Sequence, residues 1–222
     1  MEITLRPGQD AVANIPLADG YLYFALKAIE EVAGEKGLNI VLRNAGLERF
    51  IGNYPSRDLK FSDLTYRDYA LLNKAIADFY GRAAKGFAVR IGRASARYSI
   101  EDQDRLFGMA SLALKLLPTA TQQRLGFQQI VNGFKTLYRE INYDIQVRFE
   151  ETPVKFVYAA RDCPSCAGLQ ADRPICHVFE GALIEGGHYV TGGKDFQIAE
   201  VACRALGAPE CIWEVSKTPI EK

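Results

Sequence analysis

The hydrophobic pattern of the first 142 residues is that of helices. From Leu17 onward, apolar residues recur every three or four positions, as at Leu22, Leu26 and Ile29, and this spacing places them on one face of a helix. Gly34 is expected to end the first helix, because glycine readily adopts the left-handed conformation at a helix C-terminus. A second, short helix is expected from Leu38 to Gly46.

Later helices in this half are marked by possible capping residues. Thr65 with Asp68, and Ser99 with Asp102, have the spacing of a capping box with aspartate in place of glutamate. An apolar stripe follows each pair, so we expect one helix to begin behind Thr65 and another behind Ser99. A further helix is expected behind Pro118, which cannot continue the preceding one.

After residue 142 the period changes from that of helices to that of strands. Ile145, Val147 and Phe149 alternate with polar residues, as in a half-buried strand. The remaining segments predict a second strand, a helix beginning at Pro174 and a hairpin, at Val154–Ala159, behind Pro174, and at Phe196–Ala202 with Cys211–Val215. This order predicts an α+β fold, in which a helical N-terminal half packs on a C-terminal antiparallel sheet with one intervening helix.

The same pattern gives the expected domain organisation. Residues 1–16, with two prolines, are expected to be an N-terminal arm, and residues 217–222 a tail. Residues 17–142 form the helical part and residues 143–216 the α+β part. The length of 222 residues suits one integrated domain formed by both parts.

Composition and charge exclude several classes of protein. The chain has 27 basic and 27 acidic side chains, and this balance argues against direct nucleic-acid binding through counterion release. No apolar run is long enough to span a bilayer. The first ten residues, MEITLRPGQD, lack the apolar core of an export signal. We therefore expect a cytoplasmic protein.

The five cysteines indicate local chemistry in the last 60 residues. They are Cys163, Cys166, Cys176, Cys203 and Cys211. An odd number of cysteines without an export signal argues against a disulfide framework. Their clustering instead suggests a metal or redox site.

A metal site has two alternative sets of ligands in this sequence. The first combines Cys176, at the start of a helix, with Glu200, Cys203 and Cys211 of the hairpin, a set suited to tetrahedral zinc. Glu200 and Cys203 would face opposite sides of an unbroken strand, so the strand must bend or end near Ala202.

The second set uses the Cys-x-x-Cys pair, and its members are Cys163, Cys166, Cys176 and His177. Two other interpretations stay open at this point. The cysteines can be small buried apolar residues with Glu200 as a solvated charge. A redox role for the Cys-x-x-Cys pair is less favoured, because no βαβ pattern surrounds it.

These C-terminal residues resemble the 4-vinyl reductase domain family. Its pattern is a cysteine that opens a glycine-containing helix, then Glu-x-x-Cys, then a glycine turn and a last cysteine before an apolar strand, and it matches residues 155–216. The resemblance implies a ligand-binding fold shared with haem nitric-oxide sensors and vesicle-tethering subunits. It also implies a structural zinc ion held by Cys176, Glu200, Cys203 and Cys211, which fixes the hairpin to the helix.

The sequence contains no nucleotide-cofactor motif, since no G-x-G-x-x-G follows a strand. Enzymatic activity is therefore less expected than binding. The chain's two histidines, His177 and His188, lie outside the helical half in which the haem sensors place their iron ligand. Aromatic and apolar side chains could instead line a cleft for a small molecule, and the candidates are Phe107, Met109, Phe127, Phe134, Tyr138 and Phe179.

The expected function is therefore the binding of an apolar ring compound, such as a tetrapyrrole, a phenolic or another hydrocarbon. The domain would act as a sensor, carrier or assembly factor, with a structural zinc ion, as a homodimer and with a protein partner for its output. One alternative is a tetrapyrrole-modifying enzyme of the 4-vinyl reductase type that uses a partner's cofactor. Another is a dimeric interaction module.

Overall fold

The computed structural model describes residues 2–102 and 116–220. Most of the helix expected behind Ser99 lies outside the described residues, as do the candidate lining residues Phe107 and Met109. The described helices are α1 (Asp19–Ala45), α2 (Tyr66–Tyr80), α3 (Ala84–Asp102), α4 (Thr119–Arg139) and α5 (His177–Val190). None of these helices combines the length and the apolar character needed to cross a bilayer.

Two glycines break the helical half. Gly34 interrupts α1 with φ 70° and ψ 168°, and the helix resumes behind it. Gly81 separates α2 from α3 with φ 54°. The break expected at Gly34 is therefore confirmed, because a positive φ is readily available only to glycine.

The first expected capping box is confirmed and the second is wrong. The Asp68 carboxylate accepts hydrogen bonds from the backbone N–H of Thr65, at 2.7 Å, and from its hydroxyl, at 2.8 Å. Ser99 lies inside α3, which runs without interruption to Asp102. The apolar positions of α3 keep Ser99 in the helix, whereas a cap requires a residue with extended backbone.

Removing the Asp68 carboxylate is expected to destabilise the chain modestly. The Asp68→Ala variant loses both hydrogen bonds at the start of α2, and helix caps of this kind contribute about 1 kcal/mol. Urea denaturation would measure the difference in the free energy of unfolding. Asp68→Asn, which keeps an acceptor oxygen, serves as the control and should lose less. Equal losses in both variants would contradict this account of the cap.

Four antiparallel strands form the main sheet, in the order β4-β5-β8-β7. Their bounds are Val147–Glu151 for β4, Lys155–Ala160 for β5, Phe196–Ala202 for β7 and Cys211–Pro219 for β8. The α+β class is therefore confirmed. One boundary was wrong: α5 begins at His177 and not at Pro174, because the Glu200 carboxylate accepts from the Cys176 backbone N–H at 2.9 Å and holds this segment against the hairpin.

The N-terminal segment takes part in the fold through two short strands. In it, β1 (Ile3–Leu5) pairs antiparallel with β6 (Leu169–Ala171), and β2 (Pro16–Ala18) pairs with β3 (Phe61–Thr65). At the other end, β8 continues to Pro219, three residues into the segment predicted as a tail. Both ends of the chain thus contact the α+β part.

Helices α3 and α5 cross with their backbones in contact. A Cβ atom added at Gly92 would lie 1.9 Å from the carbonyl oxygen of Val178, and one added at Gly181 would lie 2.1 Å from that of Val89. Each helix therefore contributes one glycine to the crossing. This contact fixes the position of α5 against the helical half.

Candidate metal site and adjoining cavity

The five cysteines converge from four separate segments. Cys163 and Cys166 lie in the loop between β5 and β6, and Cys176 caps α5 at its N-terminus. Cys203 directly follows β7, and Cys211 begins β8. All five belong to the described part of the chain, are at most 1% exposed and form no disulfide.

The sulfur atoms of these cysteines form a close cluster. Cys176 Sγ lies 3.7 Å from Cys163 Sγ and 3.8 Å from the Sγ atoms of both Cys203 and Cys211. Cys166 Sγ lies 3.4 Å from Cys211 Sγ. The cluster is therefore built around Cys176 and Cys211.

Two sets of four donors each have all their ligand atoms within 4.8 Å of one another. The first is Cys163, Cys166, Cys176 and Cys211, and the second is Cys176, Glu200, Cys203 and Cys211. The two sets share Cys176 and Cys211. The second is the set that the family resemblance implies, and the first is the alternative of the sequence analysis with Cys211 in place of His177.

The strand carrying Glu200 bends where the geometry requires it. Pairing between β7 and β8 is irregular between Glu200 and Ala202, and β7 ends at Ala202. Glu200 and Cys203 can therefore both face the cluster. Glu200 Oε2 accepts from the Cys176 backbone N–H, while Oε1 is buried and has no hydrogen-bond partner among the described residues.

Burial changes the acidity of the donor groups. Burial, together with the nearby charge on Cys203, raises the pKa of the Glu200 carboxyl to about 9. Burial likewise raises the pKa of the Cys176 thiol well above its usual value, and the surrounding thiols raise it further. A buried group favours its neutral form unless an opposite charge is close, and a bound divalent cation supplies that charge.

A buried ion pair ties the N-terminal segment to the cluster. The Asp10 carboxylate accepts from the Arg204 guanidinium at 2.9 Å and from the Gly168 backbone N–H at 2.9 Å. The Arg6 guanidinium donates to the Arg204 carbonyl oxygen. Gly168 lies two residues after Cys166, and Arg204 directly follows Cys203. Asp10 therefore holds together the two loops that carry these cysteines.

A cavity of about 20 Å³ lies beside the cluster, with space for about one water molecule. Its wall is largely aromatic and aliphatic and is formed by Tyr66, Phe134, Ile145, Val147, Tyr158, Ala160, Asp162, Cys163, Pro164, Phe179 and Trp213. Cys163 thus belongs both to the cluster and to the cavity wall. Phe179 also packs on two aromatic neighbours from the sheet, 5.2 Å from Tyr158 and 4.8 Å from Trp213 between ring centroids.

Of the candidate lining residues, the structure places Phe134 and Phe179 in the cavity wall. Phe127 is buried elsewhere, where it stacks on Phe149 at 5.5 Å. Tyr138 is fully buried and donates its hydroxyl hydrogen bond to the Pro16 carbonyl oxygen at 3.0 Å. The sequence analysis did not select Tyr158 and Trp213, although their even spacing from other inward residues of β5 and β8 was a usable signal.

Both histidines of the chain pair with carboxylates on α5 or just behind it. His177 Nδ1 lies 3.2 Å from Glu180 Oε2, and His188 Nδ1 lies 3.0 Å from Asp195 Oδ1. Neither belongs to the donor sets or to the described cavity wall. His177 follows Cys176 directly, and neighbouring residues at a helix start point in different directions.

Comparison with known proteins agrees with this architecture. The family model of the 4-vinyl reductase domain matches residues 156–217, so the resemblance seen in the sequence is confirmed. No curated protein sequence gives a match.

Solved structures of H-NOX proteins share the fold. An oxygen-binding H-NOX domain related to soluble guanylate cyclases is 13% identical, with a TM-score of 0.56 over 93% of this chain and 98% of that chain. An H-NOX protein from S. oneidensis in the Fe(II)NO ligation state is 10% identical, with a TM-score of 0.55 over 91% and 99%. An Fe(II) unliganded H-NOX protein from K. algicida is 9% identical, with a TM-score of 0.55 over 93% and 98%. Residues 156–217 are therefore a 4-vinyl reductase domain, in a chain with the H-NOX-like fold.

Proposed function

We propose that this chain is a binding domain for a small apolar ring compound, acting as a sensor, carrier or assembly factor, with one structural zinc ion. The observation that carries the proposal is the contact between a buried thiol cluster and an apolar cavity, with Cys163 in both. The match to the 4-vinyl reductase domain and the H-NOX-like fold support it as a class of ligand-binding architecture.

The spacing of the sulfur atoms supports a single tetrahedral ion. With Zn–S bonds of about 2.3 Å, tetrahedral geometry separates the sulfurs by about 3.8 Å. The four short Sγ–Sγ distances in the cluster are 3.4, 3.7, 3.8 and 3.8 Å. The buried Glu200 Oε1, unpartnered among the described residues, supplies a further donor.

When bound, zinc would displace the thiol protons and join the N-terminus of α5 to the β7–β8 hairpin. Cys176 and Cys211 belong to both donor sets and would hold the ion in either case. Elemental analysis of the purified chain should find about one zinc ion per molecule. A folded chain without bound metal would contradict this part of the proposal.

The cavity sets the chemical class of the organic ligand. Its walls are mostly aromatic rings and aliphatic groups, and such walls favour apolar, planar molecules. A cavity that binds benzene in another protein has about 150 Å³, so the cavity of about 20 Å³ must expand for any ring compound. Haem iron has no histidine ligand here, because both histidines pair with carboxylates away from the described cavity wall.

Enlarging the cavity is expected to increase its affinity for a ring compound. Phe134→Ala removes one aromatic side chain from the wall, so toluene no longer has to displace it, and we expect at least about tenfold tighter toluene binding, equal to about 1.4 kcal/mol. Calorimetric titration and the toluene-induced increase in melting temperature would measure this. Phe79→Ala, at a 38% exposed residue outside the cavity wall, is the control and should bind toluene as the unmodified chain does.

Native mass spectrometry of the chain purified from its host would test the same proposal without a chosen probe. A co-purifying apolar molecule is the expected result. A folded Phe134→Ala variant that binds no toluene, together with an empty chain from the host, would contradict the proposed function.

A further inference from the structure

We propose that the ion is held in two alternative sets of ligands, with Cys176 and Cys211 constant and with Cys163 and Cys166 exchanging for Glu200 and Cys203. This inference rests on the zinc site of the proposed function. It adds a second state to that site and links it to the cavity through Cys163.

The donor geometry requires a choice between the two sets. Six donor atoms from five cysteines and one glutamate surround a space for one tetrahedral ion, which accepts four of them. Cys176 and Cys211 lie 3.8 Å apart and occur in both sets. Cys163 and Cys203 both lie within 3.8 Å of Cys176, on different segments. Either pair can thus complete the coordination after a small movement of the ion.

The backbone around the two pairs is held in place independently of the ion. Asp10 accepts hydrogen bonds from Gly168, behind the Cys163–Cys166 loop, and from Arg204, behind Cys203. Both loops therefore keep their positions while side chains rotate. Exchange then requires rotation of four side chains and no rearrangement of strands or helices.

The exchange is balanced in bonds and protons. Two metal–sulfur bonds to Cys163 and Cys166 form as the bonds to Cys203 sulfur and Glu200 oxygen break. The Cys163 and Cys166 thiols lose one proton each, and the Cys203 thiolate and Glu200 carboxylate gain one each. The charge of the site stays the same, and neither an oxidant nor a reductant is needed.

Cys163 connects this exchange to the cavity. In the structure its sulfur points to the cluster, 3.7 Å from Cys176 Sγ, while the residue forms part of the cavity wall. When Cys163 is released from the ion, its side chain can rotate toward the cavity, which has space for only about one water molecule. A ring compound in the cavity would oppose that rotation and would favour the four-thiolate set. By linkage, the four-thiolate set would bind the ring compound more tightly.

The first experiment counts metal ligands in the full chain and in paired variants. X-ray absorption of the zinc-loaded unmodified chain should give a mean sulfur number between three and four. Cobalt(II) titration should then show one bound ion in Cys163→Ser/Cys166→Ser and one in Glu200→Gln/Cys203→Ser, with sulfur-to-cobalt absorption near a 3:4 ratio. Cys176→Ser/Cys211→Ser, which breaks both sets, should bind none.

Several results of this experiment would overturn the exchange. A fixed integer of three or four sulfurs in the unmodified chain would do so, even if every variant failed to fold. Failure of one folded paired variant to bind cobalt, while the unmodified chain binds it, would also do so. An unmodified chain that binds neither zinc nor cobalt would instead overturn the proposed metal site itself, so the two failures are distinguishable.

The second experiment tests the link to the cavity with toluene as the probe. Toluene should raise the sulfur-to-cobalt absorption of the unmodified chain toward that of Glu200→Gln/Cys203→Ser. It should leave the absorption of Cys163→Ser/Cys166→Ser unchanged, because that variant has only three thiolates near the ion. Toluene binding without a spectral change would overturn the link, and so would the absence of any toluene-induced increase in melting temperature.

Discussion

Replacing Gly181 by alanine is expected to destabilise the chain by about 3 kcal/mol or more. The added Cβ would lie 2.1 Å from the Val89 carbonyl oxygen and 2.9 Å from the carbon of the same group. Because both contacts are with backbone, no side-chain rotation relieves them, and α5 must move away from α3. Overpacking of buried sites typically costs about 1–3 kcal/mol, and backbone contacts of this kind belong at or above the upper end.

Gly92→Ala should have an effect of the same size, because its Cβ would lie 1.9 Å from the Val178 carbonyl oxygen. Gly86→Ala is the matched control on the same helix, since its Cβ would have no atom within 4 Å. This change should stabilise the chain by up to about 1 kcal/mol through helix propensity. Urea denaturation of the three variants would measure these differences. Equal stability of Gly181→Ala and Gly86→Ala would contradict the close crossing.

The crossing matters for the site because α5 carries residues of both the cluster and the cavity wall. Cys176 caps its N-terminus, and Phe179 lies one turn along it. Separation of α5 from α3 would move both side chains. We therefore expect that a Gly181→Ala chain that still folds also binds metal and ring compounds more weakly.

Local patterns in the sequence predicted the local elements well. The cap formed by Thr65 and Asp68, the break at Gly34 and the β7–β8 hairpin each depend on residues within a few positions of one another. The bend near Ala202 followed from strand geometry alone. These features needed no knowledge of distant parts of the chain.

Contacts between distant segments could not be predicted in the same way. Pairing of Ile3–Leu5 with Leu169–Ala171 joins strands of three residues, too short to leave a clear alternation. Gly92 weakened the helix prediction, although its lack of a side chain serves the crossing with α5. The convergence of Cys163 and Cys166 with Cys176 and Cys211 depends on the β5–β8 pairing and on the loop that follows β5.

Removal of the metal is expected to have the other large effect on stability. An ion that binds only the folded chain stabilises it by about 4 kcal/mol when its free concentration is a thousand times its Kd. For a chain of this length, each kcal/mol shifts the melting temperature by about 2–4 °C. A strong chelator should therefore lower the melting temperature of the zinc-loaded chain by about 8–16 °C, as measured by differential scanning calorimetry.

Variants separate loss of the ion from other effects of the chelator. Cys211→Ser removes a donor common to both sets, so it should melt low without chelator and respond little to its addition. Val201→Ala, at a 51% exposed residue of β7 outside both sets, should keep the full response. If the chelator left the unmodified chain unchanged while elemental analysis showed that zinc had been removed, the cluster would not stabilise the fold through a metal ion. The contact of α5 with the hairpin would then depend on side-chain packing and on the hydrogen bond from Cys176 to Glu200.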